Sequence, residues 1–233
     1  MVPRSYERHK VKAREPALIT WGLIAANLIV FAVQLSANDG HALAAAYGVT
    51  PAVITHTIAD TGPIPAWATL LTGMFLHAGP EHLATNMIYL WLFGDDIEQA
   101  LGPLRFLAFY LLSGVGAALA HVALSTHSTS PLIGASGAIA GVLAACVLLR
   151  PCAKISLNLI FAMIRIRTGL VICFWALLQV IDFVDKVDDG VTYAGHIGGL
   201  LAGALLFVVM RPKGVQLLEC IDDEAGDHGS QVI

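Results

Sequence analysis

Charge is scarce in this chain. Only 13% of its 233 residues are Asp, Glu, Lys or Arg, about half the share usual in a soluble domain. Too few ions are present to cover an ordinary water-facing surface. Net charge is also small, −4, which argues against a nucleic-acid partner. The four cysteines (Cys146, Cys152, Cys173, Cys220) show no CxxC or other metal spacing, and no HExxH is present. Two cysteines fall in apolar runs and two on one polar side, so no disulfide framework is expected. What is plentiful is apolar surface: 57% of residues are hydrophobic and mean hydropathy is +0.73. It comes in long runs rather than alternating with polar residues, the pattern of a bilayer-embedded chain.

Six runs are long enough to read as membrane helices: Ala17–Ala37, His77–Gly94, Leu104–Leu124, Gly134–Leu149, Gly169–Val184 and Val191–Met210. The expected fold class is all-α, a polytopic membrane protein with a six-transmembrane-helix bundle. The apolar stretch Ile155–Ile164 is short and ends at Arg165 and Arg167, so it reads as an interfacial segment. The first run is long for a signal peptide and Leu35-Ser36-Ala37 is a weak cleavage site, so a retained anchor is expected. Lysines and arginines set the orientation. In a six-span arrangement twelve of the thirteen lie on one face, and only Lys186 lies opposite. Both termini are then cytoplasmic. Residues 1–16 form a basic cytoplasmic N-terminus, 17–210 the six-span domain, and 211–233 an acidic tail expected to be disordered. The external loop from Asn38 to Leu76 has no Lys or Arg, so part of it can rest on the membrane surface.

Polar side chains at membrane depth are costly and so suggest function. His82 and Asn86 in span two, Ser136 in span four and His196 in span six all fall in the first turns of helices that start outside. Topology alone puts them at one depth. Span four has 16 residues, about 24 Å of helix against about 30 Å of hydrocarbon. With its inner end fixed near Arg150 and Pro151, its outer end should stop below the surface. The loop before it must then find backbone partners in protein or in a wet cavity. Gly137 and Gly141, and the run Gly195, Gly199 and Gly203, have the GxxxG spacing that lets helices pack closely in lipid. Such packing would bring the Ser136 hydroxyl within reach of the His196 imidazole, giving a nucleophile beside a base. The Ser136 amide at a helix N-terminus is a ready oxyanion donor, and His82 and Asn86, four apart, can point at one spot.

Gly134-Ala135-Ser136-Gly137, His82-Leu83-Ala84-Thr85-Asn86 and Ala194-Gly195-His196-Ile197-Gly198-Gly199 resemble the three signature segments of rhomboid proteases. Thr72–His77 and the stretch from Phe93 and Gly94 through Glu98 to Gly102 are similar to the same family. The likeness covers roughly residues 17–210. It implies a six-helix bundle of rhomboid type and an intramembrane serine endopeptidase. Ser136 and His196 would form a dyad without an acidic third member. His82, Asn86 and the Ser136 amide would form the oxyanion hole. Substrates would be single-span or other membrane proteins, cut near the outer side of the bilayer. Span five would act as a lateral gate, with Phe174 and Trp175 as gate or packing residues. No cofactor or metal is implied. Two departures stand out: Ala140 replaces an aromatic residue that many relatives stack on the histidine, and the tryptophan-arginine pair of some relatives is missing between Asn38 and Trp67.

Other readings are weaker. His77, Glu81 and His82 are one residue off an inverted zinc motif; His77 is expected at the interface. Asp95 and Asp96 fall at the inner edge of span two and Asp182 at the outer end of span five, so no aspartyl pair forms. Glu98 and Arg105 read as structural contacts on the inner side. A catalytically silent relative would lack the dyad, and a transporter would need a polar path across the whole bilayer. The short chain without a transit-type N-terminus suits a bacterial inner membrane.

Overall fold

The computed structural model describes residues 16–37, 40–159, 162–187 and 191–220. The N-terminal arginines and lysines and the acidic residues beyond Cys220 lie outside the described residues. Six helices form the bundle: α1 (Leu18–Ser36), α5 (Pro80–Leu101), α6 (Pro103–Leu124), α7 (Ser136–Leu149), α8 (Thr168–Val184) and α9 (Tyr193–Met210). Short helices α2 (Gly40–Tyr47), α3 (Pro51–Ile54) and α4 (Ala66–Thr72), then a 3₁₀ turn at Gly73–Phe75, fill the loop between α1 and α5. The chain is a helical, polytopic membrane protein, and its polarity is inverted relative to a soluble one. Asn27, Asn86, Glu98, Ser113, Thr168 and Gln179 are buried, whereas Leu28, Ile29, Phe174, Leu201, Leu205 and Val209 face outward. By length and composition α1, α6 and α9 can each cross a bilayer. Helices α7 and α8 are apolar but shorter. Helix α5 has the length but carries Glu81, Asp95, Asp96 and Glu98.

Local chemistry explains the boundaries. Helices α5 and α6 both begin with proline, which suits a first helical position because its missing N–H has no acceptor there. Only Gly102 separates them, at φ +81°, a left-handed conformation that favours glycine. Helix α5 runs seven residues past the predicted end at Gly94, because Asp95, Asp96 and Glu98 continue the helix on the polar side. Buried Glu98 accepts hydrogen bonds from the Ile19 N–H (3.0 Å), the Thr20 N–H (2.8 Å) and the Thr20 hydroxyl (2.7 Å). It therefore serves orphan donors in the first turn of α1, where a carboxylate also meets the favourable end of the helix dipole. Gln34 and His77 exchange side-chain and backbone hydrogen bonds (3.2 and 3.0 Å), tying the loop before α5 to the end of α1.

The stretch read as interfacial forms an antiparallel hairpin, β1 (Lys154–Leu159) with β2 (Ala162–Arg167). The alternation Ile164-Arg165-Ile166-Arg167 has the period of a strand, a signal that its shortness obscured. One expectation is corrected: Cys152 and Cys220 form a disulfide, with Cα atoms 5.1 Å apart. Sequence separation of 68 residues hid the pairing, which arises because residues 211–220 return along the end of α7. The described part of the tail expected to be disordered is thus held. Leu218 N–H donates to the Leu148 carbonyl (2.7 Å) and Glu219 N–H to that of Leu149 (3.2 Å), capping carbonyls that a helix end leaves without partners.

Helices α6, α7 and α9 make the tightest contacts. A Cβ on Gly199 would fall on the Gly137 carbonyl oxygen, and one on Gly203 would fall on Gly141. One on Gly141 would lie 2.6 Å from Ser113 Cβ, and one on Gly137 2.5 Å from Ala117 Cβ. Without side chains at these positions the backbones of α7 and α9 touch. That contact carries the functional site.

Candidate active site

Ser136 is the first residue of α7 and His196 the fourth of α9. Gly137 and Gly199, next to the serine and one turn after the histidine, set the distance between the helices. The structure brings the two side chains together: His196 Nε2 lies 2.9 Å from Ser136 Oγ. Both are half-buried and line a cavity of about 550 Å³. The loop before α7 finds its partners in protein. Val49 and Leu132 exchange backbone hydrogen bonds (3.0 and 2.8 Å), and Gly134 N–H donates to the Gly73 carbonyl (2.9 Å). Those bonds satisfy backbone polar groups that lie between packed apolar helices.

His82 and Asn86 line the same cavity from α5. His82 Nδ1 accepts the Ala78 N–H (3.3 Å), which leaves the proton of a neutral ring on Nε2, so that nitrogen is a donor. Gly134 lies between His82 and the serine. A Cβ there would lie 2.7 Å from His82 Cε1, 2.8 Å from its Nε2 and 3.8 Å from Ser136 Oγ. Its φ of +119° independently favours glycine. Asn86 is buried and donates one Nδ2 hydrogen to the His82 carbonyl (2.9 Å). A primary amide has a second hydrogen to give. The Ser136 amide, in the first turn of α7, has no acceptor within its helix. Three donors and a hydroxyl–imidazole pair therefore border one cavity.

Ala140 is fully buried, and a Cβ on Gly199 would lie 3.2 Å from its own. Helix α9 takes the space that an aromatic ring on α7 would need. The His196 ring instead meets Trp175 of α8, with centroids 5.6 Å apart at 42°. Of the two gate or packing candidates, Trp175 thus turns inward and Phe174 is exposed. Sequence reasoning missed Gln179. Its Oε1 lies 2.6 Å from His196 Nδ1. The signal was there to find, since a buried glutamine in an apolar helix, one turn after Trp175, meets the same test of polarity at depth.

The remaining candidates lie elsewhere. His77 is buried, with its ring 5.1 Å from that of His82. Among the described residues no group of three His, Cys, Asp or Glu could hold a metal ion. Asp182 lines a separate cavity with His121 and Lys186. Asp95 and Asp96 lie towards the other end of the bundle, in the part of α5 where the Phe93 carbonyl meets Cys146.

A family profile described as Rhomboid domain matches residues 65–213, more than half of the chain and every residue of the site. The chain belongs to the rhomboid family. It is 32% identical over 155 residues to the rhomboid protease AarA of Providencia stuartii, covering 61% of this chain and 55% of that protein. It is 35% identical over 137 residues to the rhomboid protease GluP of Bacillus subtilis, covering 59% and 25%. RHOMBOID-like protein 6, mitochondrial, of Arabidopsis thaliana is 34% identical over 156 residues, covering 62% and 44%. The matches thus span about half or less of these relatives' own lengths. In this rhomboid-family chain the Ser136–His196 pair sits where the bundle's closest helix contact ends in a cavity.

Proposed function

We propose that the chain is an intramembrane serine endopeptidase that cuts transmembrane segments of other membrane proteins near the outer side of the bilayer. The observation that carries this reading is the 2.9 Å approach of Ser136 Oγ to His196 Nε2 inside a cavity bordered by His82 and Asn86. Ser136 passes its proton to Nε2 as Oγ bonds to the scissile carbonyl carbon. The carbonyl oxygen becomes an anion and takes hydrogen bonds from the Ser136 N–H, His82 Nε2–H and Asn86 Nδ2–H. When the intermediate collapses, the C–N bond breaks and His196 returns the proton to the leaving amine. Water then attacks the acyl ester with His196 again as base, and Ser136 recovers its proton.

Hydrolysis needs water at membrane depth, and the cavity's polar lining of Glu81, Thr85, Asn86 and Thr192 suits it. The family resemblance favours single-span substrates in the bilayer, entering beside α8. The distribution of Lys and Arg favours cytoplasmic termini. The test is cleavage of a single-span reporter by the purified protein in liposomes. Ser136→Ala and His196→Ala should each abolish the cut; wild-type cleavage by Ser136→Ala contradicts the proposal.

A further inference from the structure

A general base that accepts from serine through one ring nitrogen needs its proton on the other. His196 Nε2 faces Ser136 Oγ at 2.9 Å, so Nδ1 must carry the hydrogen if Nε2 is to accept. An acceptor must then stand beside Nδ1, and the Oε1 of Gln179 does so at 2.6 Å. Gln179 is 7% exposed and is one of only four buried residues in α8, with Thr168, Gly169 and Ile172. Burial in apolar surroundings strengthens such a bond, because no water competes for either partner. Trp175, one turn earlier on the same helix, lies against the ring. The ring that receives no aromatic support from Ala140 on α7 is thus held in place and in tautomer by α8.

Resting on the reading of Ser136 and His196 as a dyad, we infer that Gln179 is a positioning residue of this chain, a neutral third member that fixes the His196 tautomer through its amide oxygen. It touches neither the substrate carbonyl nor the nucleophile. It acts through the base, in the place that a carboxylate takes in Ser-His-Asp enzymes. A neutral partner suits a membrane site, since a buried carboxylate would have to be kept charged in apolar surroundings.

Two near-isosteric variants test this in the full-length protein in liposomes. Gln179→Met keeps the chain length and removes the acceptor. It should lower kcat about tenfold, the order of one neutral hydrogen bond, with KM unchanged. Because the amide oxygen favours the protonated ring, its loss should move the acidic limb of the pH–rate profile to lower pH. Gln179→Glu keeps an acceptor oxygen and adds charge, and should move that limb the opposite way. The other titratable groups in the shared cavity, His82, Glu81 and Tyr89 on α5, are identical in all three proteins. Helix α7 faces His196 with Ser136, and His121, Asp182 and Lys186 line the neighbouring cavity at the ends of α6 and α8.

Opposite shifts support the inference. Wild-type kcat and an unmoved limb in either folded variant overturn it, and should Gln179→Met fail to fold, the limb of Gln179→Glu decides alone. Ser136→Ala separates the two claims. If it is inactive while Gln179→Met and Gln179→Glu match the wild type, the positioning role alone is lost. If it still cleaves, the dyad itself is wrong.

Discussion

Around Ser136 most side chains have one geometric duty, and their sequence neighbours explain how they meet it. His82 offers Nε2–H because Ala78 occupies Nδ1, and Asn86 is steadied by the His82 carbonyl one turn back. Asn86→Ala should therefore remove one oxyanion donor and leave the serine–histidine pair intact. The expected loss in kcat is about 10²–10³-fold, measured by reporter cleavage, with reactivity toward a serine-directed probe largely kept. Equal loss of probe reactivity would mean that Asn86 shapes the site rather than stabilising charge. His82, Asn86, Ser136 and His196, which line one cavity, were legible in the sequence because each is a polar side chain interrupting an apolar run near a helix start. Gln179 interrupts an apolar run too. Its partner was not legible, since nothing in the spacing of α8 and α9 states which faces of the two helices meet.

Helix lengths and small residues govern the next scale. Helix α7 has 14 residues, about 21 Å, and falls short of about 30 Å of hydrocarbon. The shortness of α7 was foreseeable from the position of Arg150 and Pro151, and the α7–α9 contact from the glycine spacing. Gly199→Val tests that contact, since its side chain would enter the Gly137 carbonyl. Overpacking of this kind costs about 1–3 kcal/mol and should separate Ser136 from His196. Cleavage should be lost while a lowered thermal unfolding midpoint still reports a folded bundle. Wild-type activity would show that the helices can part without disturbing the pair. The hairpin β1–β2 was not legible as strands because its fourteen residues, Lys154–Arg167, are mostly apolar and show clear alternation only at Ile164-Arg165-Ile166-Arg167.

Across the whole molecule, distant segments hold the bundle's polar end. Glu98 of α5 caps α1, and the segment after α9 caps α7 and is fastened by Cys152–Cys220. Such pairings need the finished fold to be seen, because residues 68 apart carry no local sign of each other. A cross-link of that span contributes about 2–4 kcal/mol. Cys152→Ser should lower the thermal midpoint and expose residues 211–220 to added protease, with the serine–histidine distance unaffected and cleavage retained. An unchanged midpoint would mean that the two backbone hydrogen bonds suffice to hold the segment. The helices at the six apolar runs, the fold class and the closeness of Ser136 to His196 followed from polarity and small-residue spacing. Tertiary caps and the disulfide depended on chain returns that polarity does not encode.

The central claim is that one imidazole makes one buried-edge serine reactive. Mass spectrometry of the protein treated with a fluorophosphonate measures this directly. The account predicts a single adduct on Ser136 in the wild type and none forming at a comparable rate in His196→Ala. An adduct on another residue, or equal labelling of Ser136 without the histidine, would contradict it.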